Sequence, residues 1–251
     1  MKITILVENQ TGRIQNELCA SEWGLSAVIS INGVNILFDT GHSDIYWQNA
    51  QKLGIDLNDV DFIALSHHHW DHTEGLLSHI FKDKKKIILH PDILNNASKD
   101  VIDIIKKDFE VIPSNGVLEF SPSIYFLGEI PRKFDYEKGT YKNNKMLDDT
   151  ALAIKSKNGV IVLTGCSHSG ISNICEYAKK VTGQKLFAVI GGFHLFEDEG
   201  SVVEETIKYF KNEKPDYLYP MHCVDFPVLV KLHNEFNIKK LGAGDTIEFE
   251  E

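Results

Sequence analysis

Between residues 67 and 72 the chain places four histidines and an aspartate, in Ser66-His67-His68-His69-Trp70-Asp71-His72-Thr73-Glu74-Gly75-Leu76. Val60–Leu65, just before, is apolar and bounded by polar residues, which reads as a short buried strand. Thr73–Ile80, just after, predicts the first turns of a helix. The histidines therefore fall on a loop leaving a strand end, where α/β proteins commonly build their sites. His67, His69, Asp71 and His72 fit the pattern His-x-His-x-Asp-His. Imidazole nitrogen and carboxylate oxygen suit zinc, iron or manganese, and two such ions can share one packed loop. The bland alternative is a solvated loop, or histidines bonded only to one another. So many donors in so short a span argue against it.

The rest of the chain reads as alternating strands and helices. Residues 2–7 form a strand, and Asn9–Glu22 is a loop long enough to be functional. Leu25–Ile31 and Val34–Phe38 flank Asn32-Gly33, the strongest short hairpin signal, because both central positions need positive φ. The second strand of that hairpin delivers Asp39 at its end. A helix over 44–53, a strand over Ile87–His90, an amphipathic helix over Asp92–Lys107 and a strand over Phe109–Ile112 follow. Strands near Val117–Phe120 and Ile124–Leu127 open the segment 116–146, which reads as an insertion near a site mouth. A second hairpin, Thr150–Ile154 with Gly159–Thr164, leads to a helix over Ile171–Val181. Strand Leu186–Ile190, a helix near Val202–Lys211, strand Tyr217–Tyr219 and a helix over Pro227–Glu235 come next. A short terminal strand is expected before Gly244-Asp245. Two halves of this kind, each opening with a hairpin, predict two packed sheets with helices outside them, in a single domain over 1–251.

Bulk properties exclude several classes. Hydrophobic residues make up 43% of the chain, enough for a full core. No apolar run approaches membrane-spanning length, and the N-terminus lacks the apolar core and cleavage site of a signal peptide. A cytoplasmic protein is expected. Cys19, Cys166, Cys175 and Cys223 show no paired spacing, so no disulfide framework is expected. The formal net charge of −10 disfavours a nucleic-acid surface, which needs clustered Lys and Arg. It does not disfavour a small phosphorylated substrate if the site itself carries metal cations. A homo-oligomer is compatible with the sequence.

His168, His194 and His222 share a context, each within a few residues of an apolar strand end and beside Gly or Pro. One such histidine is usually structural; three beside the main motif suggest further ligands, since a dinuclear site needs about six or seven. His42, His79, His90 and His233 lack that context and read as ordinary.

With Phe38-Asp39-Thr40-Gly41 upstream, the main motif resembles the metallo-β-lactamase superfamily of metal-dependent hydrolases, and the resemblance covers nearly the whole chain. Four further segments narrow it: Glu22-x-Gly24-Leu25-Ser26, Asp148-Asp149-Thr150-Ala151-Leu152, Thr164-Gly165-Cys166-Ser167-His168-Ser169-Gly170 and Gly192-Phe193-His194-Leu195. They resemble the branch of dihydropterin-ribosyl-aminobenzene phosphate synthases. The resemblance implies a four-layer αββα sandwich. It implies His67 and His69 on a first metal, Asp71 and His72 on a second, His222 as the final ligand, and Asp39 supporting the loop from behind. Most members carry a histidine before the 150–164 hairpin and an aspartate where Cys166 stands. In this chain Asp149, Cys166 or His168 is left for the middle place. His168 is favoured, because a bridging thiolate makes a softer, more oxidisable site. The implied activity is that of a metal-dependent hydrolase, or a transferase of the pterin-synthase kind, on a small anionic, phosphorylated or pterin-like substrate. One or two divalent ions are expected, zinc first, with manganese or iron as alternatives. Asp71 would ligate and orient, and His194 would donate a proton or hold a substrate oxyanion. The alternatives are a phosphodiesterase of the same superfamily and a non-catalytic metal-binding or sensor protein.

Overall fold

The computed structural model describes residues 1–12, 19–137, 139–141 and 144–250. Part of the expected Asn9–Glu22 loop, and part of the Lys/Asn-rich stretch near 142, lie outside the described residues. The chain divides into two compact units, 1–115 with 241–251, and 116–240.

The first unit carries a seven-stranded sheet. Its strands are β1 (Lys2–Val7), β2 (Ser26–Ile31), β3 (Val34–Phe38), β4 (Phe62–Ala64), β5 (Lys85–Leu89), β6 (Phe109–Pro113) and a last strand, Thr246–Glu248, beside β1. The β2–β3 hairpin turns at Asn32 and Gly33, both at positive φ as the sequence requires. From β3 to β6 neighbouring strands run parallel. One sheet face buries Leu6, Val28, Leu37, Ile63 and Ile87 against Tyr46 and Ala50 of α1 (Ile45–Lys52) and the later helices of the unit. Full burial of each such side chain contributes about 1.5–3 kcal/mol.

Three local expectations are corrected. The helix expected over Thr73–Ile80 is instead one α-turn, α2 (Trp70–Thr73), followed by 3-10 turns over Glu74–Ser78. In a continuing helix the Gly75 N–H would bond the Asp71 carbonyl. It donates instead to Gly41 O at 3.1 Å, while Asp71 O accepts from Leu25 N at 3.3 Å. The helix expected over Asp92–Lys107 is two, α3 (Ile93–Asn96) and α4 (Lys99–Asp108), because extended Ala97 breaks the path and the Ser98 side chain caps α4 by accepting from Val101 N. The terminal strand follows Gly244-Asp245 rather than preceding it. Gly244 N donates to Ile5 O at 2.7 Å to close the turn, and the period-two burial of Ile247 and Phe249 then sets the strand.

The second unit carries a six-stranded sheet. It is built from β7 (Leu118–Ser121), β8 (Ile124–Phe126), β11 (Ala151–Ser156), β12 (Gly159–Thr164), β13 (Leu186–Gly192) and β14 (Tyr217–Met221); β9 (Thr140–Tyr141) and β10 (Asn144–Lys145) pair apart from it. The strands β7 and β8 of segment 116–146 belong to this sheet, since β8 pairs with β11. On one face Ala153, Val162 and Val189 pack against Ile174 and Ala178 of α5 (Ile171–Thr182), Phe210 of α6 (Gly200–Glu213) and Leu232 of α7 (Phe226–Phe236). The strands β12, β13 and β14 are parallel, so their C-terminal ends emerge at one edge of the sheet. Pro220 is tolerated inside β14 because β14 is an edge strand.

Candidate metal centre

In the first unit β3 and β4 are adjacent and parallel, which brings Asp39 beside the loop of Ser66–His72. Asp39 is fully buried and at φ 51°, a left-handed conformation that Asp tolerates better than most residues. Its Oδ1 accepts the Ser66 N–H at 2.7 Å. Its Oδ2 accepts the Ser66 hydroxyl and His72 Nδ1, each at 2.7 Å. Ser66 has one hydroxyl proton, and Asp39 takes it. The Ser66 oxygen must then accept from His67 Nδ1, 2.9 Å away. This relay assigns the tautomers: His67 and His72 carry their proton on Nδ1, which leaves the Nε2 of each unprotonated.

Those lone pairs converge with other donors. His67 Nε2 lies 3.1 Å from His69 Nδ1, and His72 Nε2 lies 3.8 Å from an Asp71 oxygen. Three nitrogens and a carboxylate oxygen, with two imidazoles anchored from behind, are a donor set that fits a divalent cation. The Glu22-x-Gly24-Leu25-Ser26 segment packs beneath it. A Cβ on Gly24 would lie 2.7 Å from the Asp71 carbonyl, and Gly24 sits at φ 154°. The Ser26 hydroxyl donates to the Asp39 carbonyl at 2.8 Å.

In the second unit the shared sheet edge holds Cys166 and His168 after β12, His194 after β13, and His222 and Cys223 after β14. Ser167, His194 and His222 have φ of 63°, 48° and 50°. Such positions cost about 1–3 kcal/mol each and persist where the surroundings over-determine them. The turn after β12 is held by Asp149, whose carboxylate accepts His168 N at 3.0 Å, Ser169 N at 2.8 Å and the Ser169 hydroxyl. Burial raises the pKa of Asp149 despite those bonds and the charge of Arg132. With both oxygens engaged by the turn, Asp149 acts as its anchor. The imidazoles of His168 and His194 lie 4.2 Å apart, centroid to centroid. Both line a pocket of about 280 Å³ with Tyr136, Glu137, Phe193 and Glu199.

His194 also meets sulphur. One ligand atom each from Cys166, His194 and Cys223 lie within 4.8 Å of one another. Burial alone would suppress protonation of His194, but its hydrogen bond to Cys223 outweighs that and raises its pKa. Cys223 is driven well below the usual thiol value by bonds to Cys166 and His194 that overcome burial. All four cysteines are free, as expected. The histidines read as ordinary have local partners: His42 pairs with Glu74, His79 with Asp108, His90 accepts from Asp92 N, and His233 bonds the Ile238 carbonyl beyond its helix. Reading the sequence did not single out Ser66, whose part rests on a hydroxyl between two partners. Nor did it find Glu137, which accepts Ser172 N and Asn173 N at the start of α5.

Comparison with known proteins agrees with this architecture. Residues 24–177 match the model of the metallo-beta-lactamase superfamily. The chain is 33% identical to the 7,8-dihydropterin-6-methyl-4-(beta-D-ribofuranosyl)-aminobenzene-5'-phosphate synthase of Methanocaldococcus jannaschii, over 99% of this chain and 97% of that one. Among solved structures it is similar to Tm1679, a metal-dependent hydrolase of the beta-lactamase superfamily, at a TM-score of 0.84 and 27% identity over 100% of both chains. Zinc-bound PqqB from Methylobacterium extorquens shares the fold at a TM-score of 0.65 and 14% identity, over 99% of this chain and 100% of that one. With a superfamily match running through both hairpins and the histidine loop, the chain belongs to the metallo-beta-lactamase superfamily and has its metal-dependent hydrolase fold.

Proposed function

We propose that the protein is a cytoplasmic, metal-dependent enzyme acting on a small anionic substrate, phosphorylated or pterin-like. The observation that carries this reading is the relay from His67 through Ser66 to Asp39 and His72, which orients two imidazoles with their unprotonated Nε2 atoms toward His69 and Asp71. His67, His69, Asp71 and His72 are the proposed ligands from the first unit, with His168 and His222 from the second. Zinc heads the candidates for such nitrogen and oxygen donors, followed by manganese and iron. A divalent cation in this setting acidifies water and neutralises charge on a substrate oxygen. The chain's own residues do the aiming. Asp39 holds His72, Ser66 holds His67, and Asp71 orients the loop through its carboxylate and its carbonyl.

The pterin synthase relative supports the phosphorylated, pterin-like substrate class. The net charge of −10 supports it in another way. An acidic protein attracts an anionic substrate only where local cations reverse the field. The test is a screen of metal-reconstituted protein against simple phosphate esters and pterin phosphate esters, with zinc, manganese and iron in turn. Metal-dependent turnover of at least one class is expected. No turnover with any loaded metal, set against a folded and metal-replete protein, would overturn the reading.

A further inference from the structure

We infer that Trp70 is a stacking platform that receives the flat heteroaromatic ring of the substrate beside the histidine loop. The inference rests on the function proposed above for its substrate class, while the side chain that carries it is no metal ligand. Trp70 stands between His69 and Asp71, yet it is 47% exposed. Of the three tryptophans in the chain, Trp47 is 7% exposed in the core, and Trp23 is 51% exposed. Trp23 precedes Gly24, the residue that packs against the Asp71 carbonyl. Both open tryptophans therefore border one loop. Single exposed apolar side chains are ordinary, but two indoles beside one donor cluster point to a ligand.

Trp70 is also held in place. Its carbonyl accepts the Glu74 N–H at the end of α2. The Glu74 carboxylate meets His42 Nδ1 at 3.2 Å, and the His42 imidazole stands perpendicular to the indole, with centroids 4.7 Å apart. Glu22 fixes the His42 backbone in turn, accepting its N–H at 2.9 Å and the Ser43 N–H at 3.1 Å. A perpendicular contact with one ring leaves at least one indole face without an aromatic neighbour among the described residues. An indole already held by its neighbours loses little freedom when a ligand lands on it. The Glu22-x-Gly24-Leu25-Ser26 segment thereby gains a second use. Glu22 positions His42, and Gly24 lets the chain at Trp23 approach the loop.

The surroundings select the kind of ring. Glu22, Asp71 and Glu74 lie on the segments that hold the indole, so a negatively charged ring would be repelled. A neutral, electron-poor heterocycle suits the electron-rich indole face, and a pterin ring is of that class. Stacking on tryptophan reads flatness rather than charge, so it operates whether or not the histidine loop is loaded.

The test titrates full-length protein, metal-free and zinc-loaded in parallel, into pterin itself, a neutral fluorescent ring that carries no phosphate. Emission anisotropy of the pterin is the readout. Saturable binding is expected in the wild type under both conditions. Trp70→Ala should weaken it roughly 10-fold, the scale of one ring stacked on an aromatic side chain, and Trp70→Phe should recover most of the loss. Metal content of Trp70→Ala, by elemental analysis, should match the wild type. Equal affinity in the wild type and Trp70→Ala overturns the inference, as does an absence of binding by the wild type. Loss of metal together with pterin binding in Trp70→Ala also overturns it, because Trp70 would then shape the loop and not the ligand site. Turnover of simple phosphate esters without pterin binding would sink this inference and leave the proposed function standing. Pterin binding without turnover of any ester would do the reverse.

Discussion

In the first unit the candidate donors come from one stretch of six residues and are aimed by a single buried carboxylate. In the second they come from three separate strand ends and are aimed by the backbone, through positive φ at Ser167, His194 and His222 and the Asp149 anchor. The first is an imidazole and carboxylate set; the second brings thiols beside its histidines. Two ways of presenting lone pairs therefore coexist, and they differ in what breaks them. The loop depends on one hydrogen-bond hub. The strand ends depend on how closely β12, β13 and β14 approach one another.

The sharpest way to break the comparison is Asp39→Asn. The substitution keeps a residue that tolerates φ 51° but turns an acceptor of three bonds into a group that cannot take them all. Unfolding free energy should fall by about 3 kcal/mol, the scale of leaving buried donors unmatched. Metal affinity of the loop should fall roughly 10–100-fold. Chemical denaturation and metal titration read the two effects. A variant as stable and as tightly loaded as the wild type would remove Asp39 from its place as hub.

A smaller effect is expected at the strand ends. Gly192→Ala places a methyl group against the Gly165 carbonyl and the Cys223 sulphur, and β13 must shift to relieve it. Overpacking of this kind costs roughly 2 kcal/mol. Chemical denaturation reads the loss, and a variant as stable as the wild type would show that β13 accepts the methyl group without strain.

The smallest effect lies far from either donor set and serves as a control. Burial alone would raise the Glu176 carboxyl, but Lys133, Lys179 and Tyr209 outweigh it and bring its pKa from 4.5 down to about 2. A folded pKa below the unfolded one gives stability that is full above pH 4.5 and is lost as the pH falls toward 2. Glu176→Gln should flatten that part of the acid-stability curve without changing metal content. An unchanged acid limb would show that the ion pairs of Lys133 and Lys179 with Glu176 are too solvent-screened to matter.

The two regions also differ in how far the sequence announces them. The histidine loop is contiguous, so residue spacing alone exposed its donors, and the Asn32-Gly33 turn located the hairpin that delivers Asp39. At the second edge His168, His194 and His222 were recognisable by their strand-end context. The meeting of His194 with Cys166 and Cys223 was not, because it follows from the parallel register of β12, β13 and β14. Local boundaries failed where a tertiary bond replaced a local one. Gly75 gives its N–H to Gly41 and so ends a helix that periodicity would continue. The last strand was misplaced because Gly242-Ala243-Gly244 carries little side-chain pattern, while the alternation of Thr246–Phe249 is only a few residues long.

Metal content of protein purified anaerobically tests the central claim most directly, measured by elemental analysis for the wild type, His69→Ala and Asp71→Asn. The account predicts one or two divalent ions per wild-type chain and a clear loss in both variants, each still folded by circular dichroism. Wild-type metal content in either folded variant would contradict it.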